Sequence, residues 1–240
     1  EIKKKFSNYP NVKIFNFSKN KEIQCKTRFI NSNREEKLLQ VTNFDKNHFS
    51  KNEIKRLKIR INKLKEKNLV ICDFGVGLFE NEFLKFLNKK KIKKYLNVQS
   101  NSINLGFNLF TKYNSAHYVS LDSREWSLGI GNKKLDYKFL KMRTKNFNSI
   151  SVTLGKEGAK FLIGKENNFS PSFVETIKDT TGSGDAYFIM SSLLIMVKAK
   201  HNIVPFLGNL YAGMHGQNLG NKNIITKNEL LKNIISIINI

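Results

Sequence analysis

The chain is short of several things at once. Among its 240 residues it has only two cysteines, Cys25 and Cys72, and three prolines. The cysteines lie far apart and form no CxxC, so no disulfide framework can be built and a reducing cytosol is the default compartment. No apolar run approaches the roughly 20 residues that cross a bilayer. The longest, Phe188 to Val197, is followed by Lys198. Nothing near the start resembles a signal peptide. Three prolines and 14 glycines leave no obvious linker, and nothing repeats at a fixed period. Acidic residues are scarce as well: 19 Asp and Glu stand against 42 Lys and Arg, a formal net charge of +23. Such an excess favours anionic partners and raises nucleic acid as a candidate. The lysines are nevertheless spread along the chain, together with many Asn, Ile and Phe, the set that an AT-rich coding sequence produces. The densest run, Lys89-Lys90-Lys91-Ile92-Lys93-Lys94, has no interleaved Arg or Gly and reads as solvated surface between a helix and a strand rather than a stripe for counterion release. His48, His117, His201 and His215 show no paired spacing that would hold a metal.

What is present is a folded protein: 40% apolar and 11% aromatic residues, at a length that suits one sizeable α/β domain or two small ones. Residues 11–17 and 24–31 read as strands, the second polar and basic, with 36–42 its partner across a turn; the pair resembles an exposed flap over about 22–45. Ser50 and Glu53 form a capping box, and Ile54, Leu57, Ile61 and Leu64 then follow at helical spacing. A helix with one apolar stripe and a basic opposite face packs on a sheet far more often than on a membrane. Further strands are expected at 69–72, 95–99, 117–121, 149–154 and 159–163. Helices are expected at 80–88, in a short segment capped by Ser123, and at 186–197, 203–219 and 229–238, the last opened by a Thr226 to Glu229 capping box. Short apolar strands alternating with helices imply an α/β fold, a mainly parallel sheet covered by helices on both faces, with a small β flap near the N-terminus.

In an open parallel sheet, ligands sit at the carboxyl ends of the strands, so the loops after Cys72, Leu121, Leu154 and Lys178 are where chemistry is expected. The strongest signal is Asp179-Thr180-Thr181-Gly182-Ser183-Gly184-Asp185, directly before an apolar helix. Glycines around a small residue let backbone amides turn toward one point, and the helix adds its positive end, which suits a phosphoryl group. A carboxylate at Asp185 could accept an alcohol proton while the amides stabilise the transferred group. The structural alternative is a glycine turn with Asp185 as an ordinary N-cap. Upstream, Ser149 to Ala159 reads as a strand, a glycine-bearing turn and a second strand.

The pairing of TLGKEGA with DTTGSGDA resembles the ribokinase-like (phosphofructokinase-B) family of carbohydrate kinases. KTRFI at Lys26 to Ile30, ICDFGVGL at Ile71 to Leu78, NVQSNSINLGFNLFTKY at Asn97 to Tyr113 and YVSLDSREWSL at Tyr118 to Leu128 resemble its heptose 7-phosphate kinase branch. The resemblance implies an ATP-dependent sugar kinase that uses Mg²⁺ and phosphorylates the anomeric hydroxyl of a heptose 7-phosphate. On that basis Asp185 is the general base, and Gly182, Ser183 and Gly184 form the anion hole. Thr153, Gly155, Gly158, Asp179 and Thr181 line the ATP site. Lys26, Arg28, Asp73, Gly75 and Gly77 contact the sugar phosphate. Asp122 and Glu125 align with a motif that organises Mg²⁺ through water, Asp replacing the usual Asn; their structural alternative is a pair of helix-start acids. Val76 stands where the heptose-type relatives carry His, a departure that bears on the substrate more than on the fold.

Relatives begin with an acidic sugar-contacting strand and a Gly-Gly segment, on the order of 100 residues before the flap. Neither occurs here, and the chain opens with Glu1 rather than Met. The expectation is therefore a single kinase domain over residues 1–240 that is incomplete at its N-terminus, with a flap able to pair two copies, a small-molecule sugar as partner, and no membrane or nucleic acid. No HxGH-type nucleotidyltransferase motif is present. The competing reading is a non-catalytic protein: a kinase relic that keeps nucleotide affinity, or a basic scaffold for nucleic acid. Another alcohol substrate, such as a nucleoside or a fructose phosphate, would share the mechanism.

Overall fold

The computed structural model describes residues 4, 6–17, 25–31, 36–43, 49–100, 104–144, 146–174, 177–218 and 224–239. The chain divides into two compact units, residues 1–65 with 76–86, and residues 66–75 with 87–240.

In the first unit, β1 (Cys25–Asn31) and β2 (Glu36–Asn43) form an antiparallel pair, with Lys26 opposite Thr42, Arg28 opposite Gln40, and a bulge between Phe29 and Ile30. This is the expected flap; residues 22–24, 32–35 and 44–45 lie outside the described residues. Alternation puts Lys26 and Arg28 on one face of the ribbon and Thr27 and Phe29 on the other. Helix α1 (Lys51–Asn62) starts at the Ser50 and Glu53 capping box as the spacing requires. Residues 11–17, read above as a strand, are not one. A turn at Tyr9 to Val12 precedes a stretch that joins no strand among the described residues, and Phe15 lies under the Arg60 guanidinium, 3.6 Å from its ring centroid. An apolar alternation without a neighbouring strand cannot complete its backbone hydrogen bonds as a sheet.

The second unit holds a six-stranded sheet in strictly sequential order: β3 (Asn68–Asp73), β4 (Lys93–Val98), β5 (Ser115–Asp122), β6 (Asn146–Thr153), β7 (Ala159–Ile163) and β8 (Glu166–Ser170). The first four run parallel, and β7 and β8 turn back antiparallel. Connection length explains the change. Each crossover before β6 is long enough to return the chain to the starting edge, whereas 154–158 and 164–165 allow only a reversal. Strand β8 reads Glu-Asn-Asn-Phe-Ser, too polar to announce itself, and it is an edge strand where such residues are tolerated.

Helices flank the sheet, α3 (Ser123–Ile130), α4 (Tyr137–Arg143), α5 (Ser183–Met196) and α6 (Ile203–Gly216), while α2 (Asn81–Lys89) is divided by the boundary between the two units and α7 (Lys227–Ile238) follows near the end of the chain. The α4 helix has no strong sequence signal, α6 stops short of the expected 219, and α3 is capped by Asp122 rather than Ser123. The Thr226 and Glu229 box opens α7 as expected. The core between sheet and α5 joins Tyr95, Tyr118, Phe161, Phe188 and Val204. Burying Tyr118 there, and Tyr187 on α5, requires partners for their hydroxyls. Tyr118 pairs with Ser191 Oγ at 2.7 Å, and Tyr187 donates to Ser151 Oγ at 3.1 Å. The lysine run corrects another expectation: Lys94 is not solvated but buried. It lies inside β4, where its ammonium donates to Ser115 Oγ (2.8 Å) and the Lys90 carbonyl (3.2 Å), and burial lowers its pKa. No helix among the described residues is long and apolar enough to cross a membrane.

Candidate functional site

The parallel register brings the carboxyl ends of the strands to one edge: Asp73 opposite Val98, and Asp122 opposite Thr153. The glycine turn before α5 delivers Asp185 to this edge. Gly182 is the N-cap, with φ +83°, a conformation that costs a side-chain-bearing residue strain. Ser183 therefore begins the helix, and Asp185 stands in its first turn rather than capping it. Upstream, the Asp179 carboxylate accepts from the Thr181 amide at 2.9 Å, Ser183 N donates to the Thr180 carbonyl, and the amides of Lys178 and Asp179 both reach the Gly216 carbonyl on α6. Asp179 and Thr181 thus shape the turn.

Three features of the helix head suit an anion. The glycine cap supplies no side-chain hydrogen bond to the first amides. A Cβ built on Gly184 would meet nothing within 4 Å, so space lies open there. Ser183 Oγ is buried without a hydrogen-bond partner among the described residues.

Asp185 Oδ1 accepts a 2.8 Å hydrogen bond from Gln99 Nε2, just past the end of β4. The next residue, Ser100, donates its backbone amide to Glu125 Oε1 at 2.7 Å. Glu125 Oε2 accepts from the Asp122 amide (2.9 Å), while Asp122 Oδ1 accepts from the Glu125 amide (2.7 Å). The two acids therefore make a complete capping box, which is the structural alternative entertained for them. Burial, assisted by the charge of Asp122 and to a lesser degree that of Asp185, pushes the Glu125 carboxyl up to about 7. The same two influences, burial first and Asp185 second, raise the thiol of Cys72 at the end of β3. Asp185, Glu125 and Cys72 accordingly share one field at the strand ends.

The nucleotide candidates lie on the same edge. Thr153 ends β6, and its hydroxyl donates to the Leu121 carbonyl at 3.3 Å. Gly155 is exposed in a short 3-10 turn, residues Gly155–Glu157. Gly158 is buried against the backbone of Ser170 and Pro171, so its lack of a side chain serves packing.

The sugar candidates divide. Lys26, Arg28 and Gly77 belong to the other compact unit. Asp73, expected to touch the sugar, is 1% exposed and closed off by this chain's own donors. Its carboxylate accepts from Tyr113 Oη (2.9 Å), Lys112 Nζ (2.6 Å) and the Gly75 amide (3.0 Å). Burial and the adjacent Asp73 hold the Tyr113 phenol far above its ordinary pKa. Asn108 Nδ2 reaches the Asp73 and Gln99 carbonyls, at 3.2 and 3.1 Å, and ties the two strand ends together. Sequence reasoning gave Gln99, Ser100, Asn108, Lys112 and Tyr113 no role. The one signal that points to Gln99 and Ser100 is their place just beyond a strand at the carboxyl edge. No cluster of three His, Cys, Asp or Glu side chains that could hold a metal occurs among the described residues.

No family model and no curated protein matches this chain. Solved structures do. Phosphofructokinase-2 from Escherichia coli, solved with substrates and products, is 13% identical, with a TM-score of 0.66 over 86% of this chain and 68% of its own. A Burkholderia thailandensis nucleoside kinase in complex with inosine is 15% identical, with a TM-score of 0.64 over 90% and 70%. Ribokinase from Thermotoga maritima is 16% identical, with a TM-score of 0.55 over 69% and 56%. The chain thus spans between 56% and 70% of the length of these three. At such identities the likeness establishes the architecture: a six-stranded, mostly parallel sheet flanked by helices, in the ribokinase-like fold of these sugar and nucleoside kinases.

Proposed function

We propose that this chain is an ATP-dependent kinase that transfers a phosphoryl group to an alcohol of a sugar or sugar phosphate. The observation that carries the proposal is the placement of Asp185 in the first turn of α5. It stands beside an uncapped helix head and an open position at Gly184, at the strand ends where such a sheet binds ligands. Kinases among the structural neighbours support the same reading.

The residues fit a nucleotide polyphosphate, because first-turn amides without a capping side chain and a Ser183 hydroxyl with no partner among the described residues are what an anion would complete. ATP would supply the electrophilic phosphorus. Gly182, Ser183 and Gly184 would stabilise the charge that develops on it, and Asp185 would take the proton from the acceptor alcohol. Thr153 and Gly155 would border the nucleotide. Each Glu125 oxygen already accepts one amide, which leaves this carboxylate less free to ligate a metal directly. Asp122 and Glu125 keep a role toward Mg²⁺ through water. The acceptor we infer is the anomeric hydroxyl of a heptose 7-phosphate, on the motif resemblance. Asp73 then serves by holding the strand ends that Gln99 and Gly75 extend.

The test is Asp185→Asn, assayed for phosphate transfer from ATP to heptose 7-phosphate and to a panel of sugars and nucleosides. Turnover is expected to fall about a thousandfold, while the rise in melting temperature on adding ATP persists. Undiminished turnover would remove Asp185 as the base.

A further inference from the structure

We infer that Gln99 is a positioning residue for Asp185: its side-chain amide holds one carboxylate oxygen so that the other is presented to the acceptor alcohol. This rests on the kinase reading above and deepens it.

A first-turn aspartate on a helix can rotate about its side-chain torsions, and a base that rotates spends most of its time misaligned. Gln99 removes that freedom. The 2.8 Å bond from its Nε2 joins residues 86 apart in sequence and occupies Oδ1. The donor is itself held from both sides. The Gln99 backbone amide donates to the Asp73 carbonyl at 2.9 Å, and its carbonyl accepts from Asn108 Nδ2 at 3.1 Å. Asn108 is only 5% exposed and also reaches the Asp73 carbonyl, so the base of the Gln99 side chain is bolted to the ends of β3 and β4. Side-chain amide and backbone amide of successive residues, 99 and 100, thus hold two different carboxylates, Asp185 and Glu125, on adjacent elements.

The identity of the donor matters as much as its place. A lysine or arginine at 99 would also bind the carboxylate, but as a full ion pair it would suppress the basicity that proton removal needs. A neutral amide orients with a smaller loss.

Gln99→Met keeps the length and removes the donor. It is expected to lower kcat about tenfold to a hundredfold with little change in KM for ATP or in the ATP-dependent melting rise, a split that a general loss of structure would not produce. Introduced into Asp185→Asn, the same substitution should cost less than about twofold, because the carboxylate it orients is gone. Carbon-13 titration of the Asp185 carboxyl reads the contact without turnover, and its midpoint should rise by roughly half to one pH unit in Gln99→Met. Gln99→Asn, one methylene shorter, keeps a polar group in place should the methionine variant fold poorly, and is expected to behave alike. The positioning role is overturned if kcat and the carboxyl midpoint both ignore the substitution while the wild type turns over, or if the loss is equally large in the Asp185→Asn background. A wild type that phosphorylates no acceptor sinks the kinase reading, and the rate role of Gln99 with it, even if the midpoint moves.

Discussion

Alanine at Gly158 tests whether that glycine is demanded by packing, and Gly155, three residues earlier in the same turn, is its control. Gly158 has φ +116° and ψ −139°, a region that essentially only glycine enters. Forcing alanine into it costs about 1–3 kcal/mol. A Cβ there would also overlap the Ser170 carbonyl oxygen and lie 2.8 Å from Pro171 Cα. That carbonyl cannot simply swing away, because Asn209 Nδ2 on α6 donates to it at 2.8 Å. Displacing it adds about 1–3 kcal/mol of overpacking strain, for a total of about 2–6 kcal/mol centred near 4. Gly155 also has positive φ, +62°, but a Cβ there meets nothing within 4 Å. Alanine at 155 should therefore cost only the left-handed penalty of about 1 kcal/mol. For a chain of this size the two variants should melt about 8–15 °C and about 2–4 °C below the wild type, respectively. Paired urea and thermal unfolding followed by circular dichroism measure both. If Gly158→Ala is no less stable than Gly155→Ala, the packing argument is wrong. Gly155→Ala also carries a functional readout: folded and exposed, it should raise KM for ATP if the turn borders the nucleotide.

Two further outcomes follow from the carboxylates. Folded Glu125 titrates at about 7 against an ordinary 4.5, so between those values the native state keeps a proton that the unfolded chain has lost. Stability is present in full below pH 4.5 and declines as pH rises through 7, by at most about 3 kcal/mol. Glu125→Gln should flatten that decline in urea midpoints measured at pH 5 and pH 8; parallel curves would refute it. Asp73→Asn should destabilise the fold by about 3–5 kcal/mol, because it leaves the Lys112 ammonium and the Tyr113 hydroxyl competing for a poorer acceptor in a buried site. A urea midpoint close to wild type would show that the network relaxes.

Much of the architecture is legible in the chain because its signals are local. The capping boxes at Ser50 and Thr226 mark helix starts within four residues, and the apolar runs at 69–72, 117–121 and 149–154 mark parallel strands. Where local signals mislead, the cause is a missing or unforeseen neighbour. Residues 11–17 alternate like a strand yet join no sheet among the described residues, and the polar β8 becomes a strand because a two-residue turn lays it against β7. The site divides the same way. The turn from Asp179 to Asp185 can be picked out by eye, and the carboxyl-edge rule says where it must act. That Asp73 is sealed behind Tyr113, Lys112 and Asn108 cannot be read from either.

The order of residues alone therefore determined the α/β alternation, the helix starts and the glycine turn that carries Asp185, since each depends on backbone preferences over a few neighbouring positions. Only the tertiary structure decided that Lys94 is buried, that Asp122 and Glu125 cap a helix, and that Gln99 meets Asp185. Those facts depend on strand register and on where a helix seats against a sheet, and no local periodicity encodes the meeting of side chains so far apart in the chain.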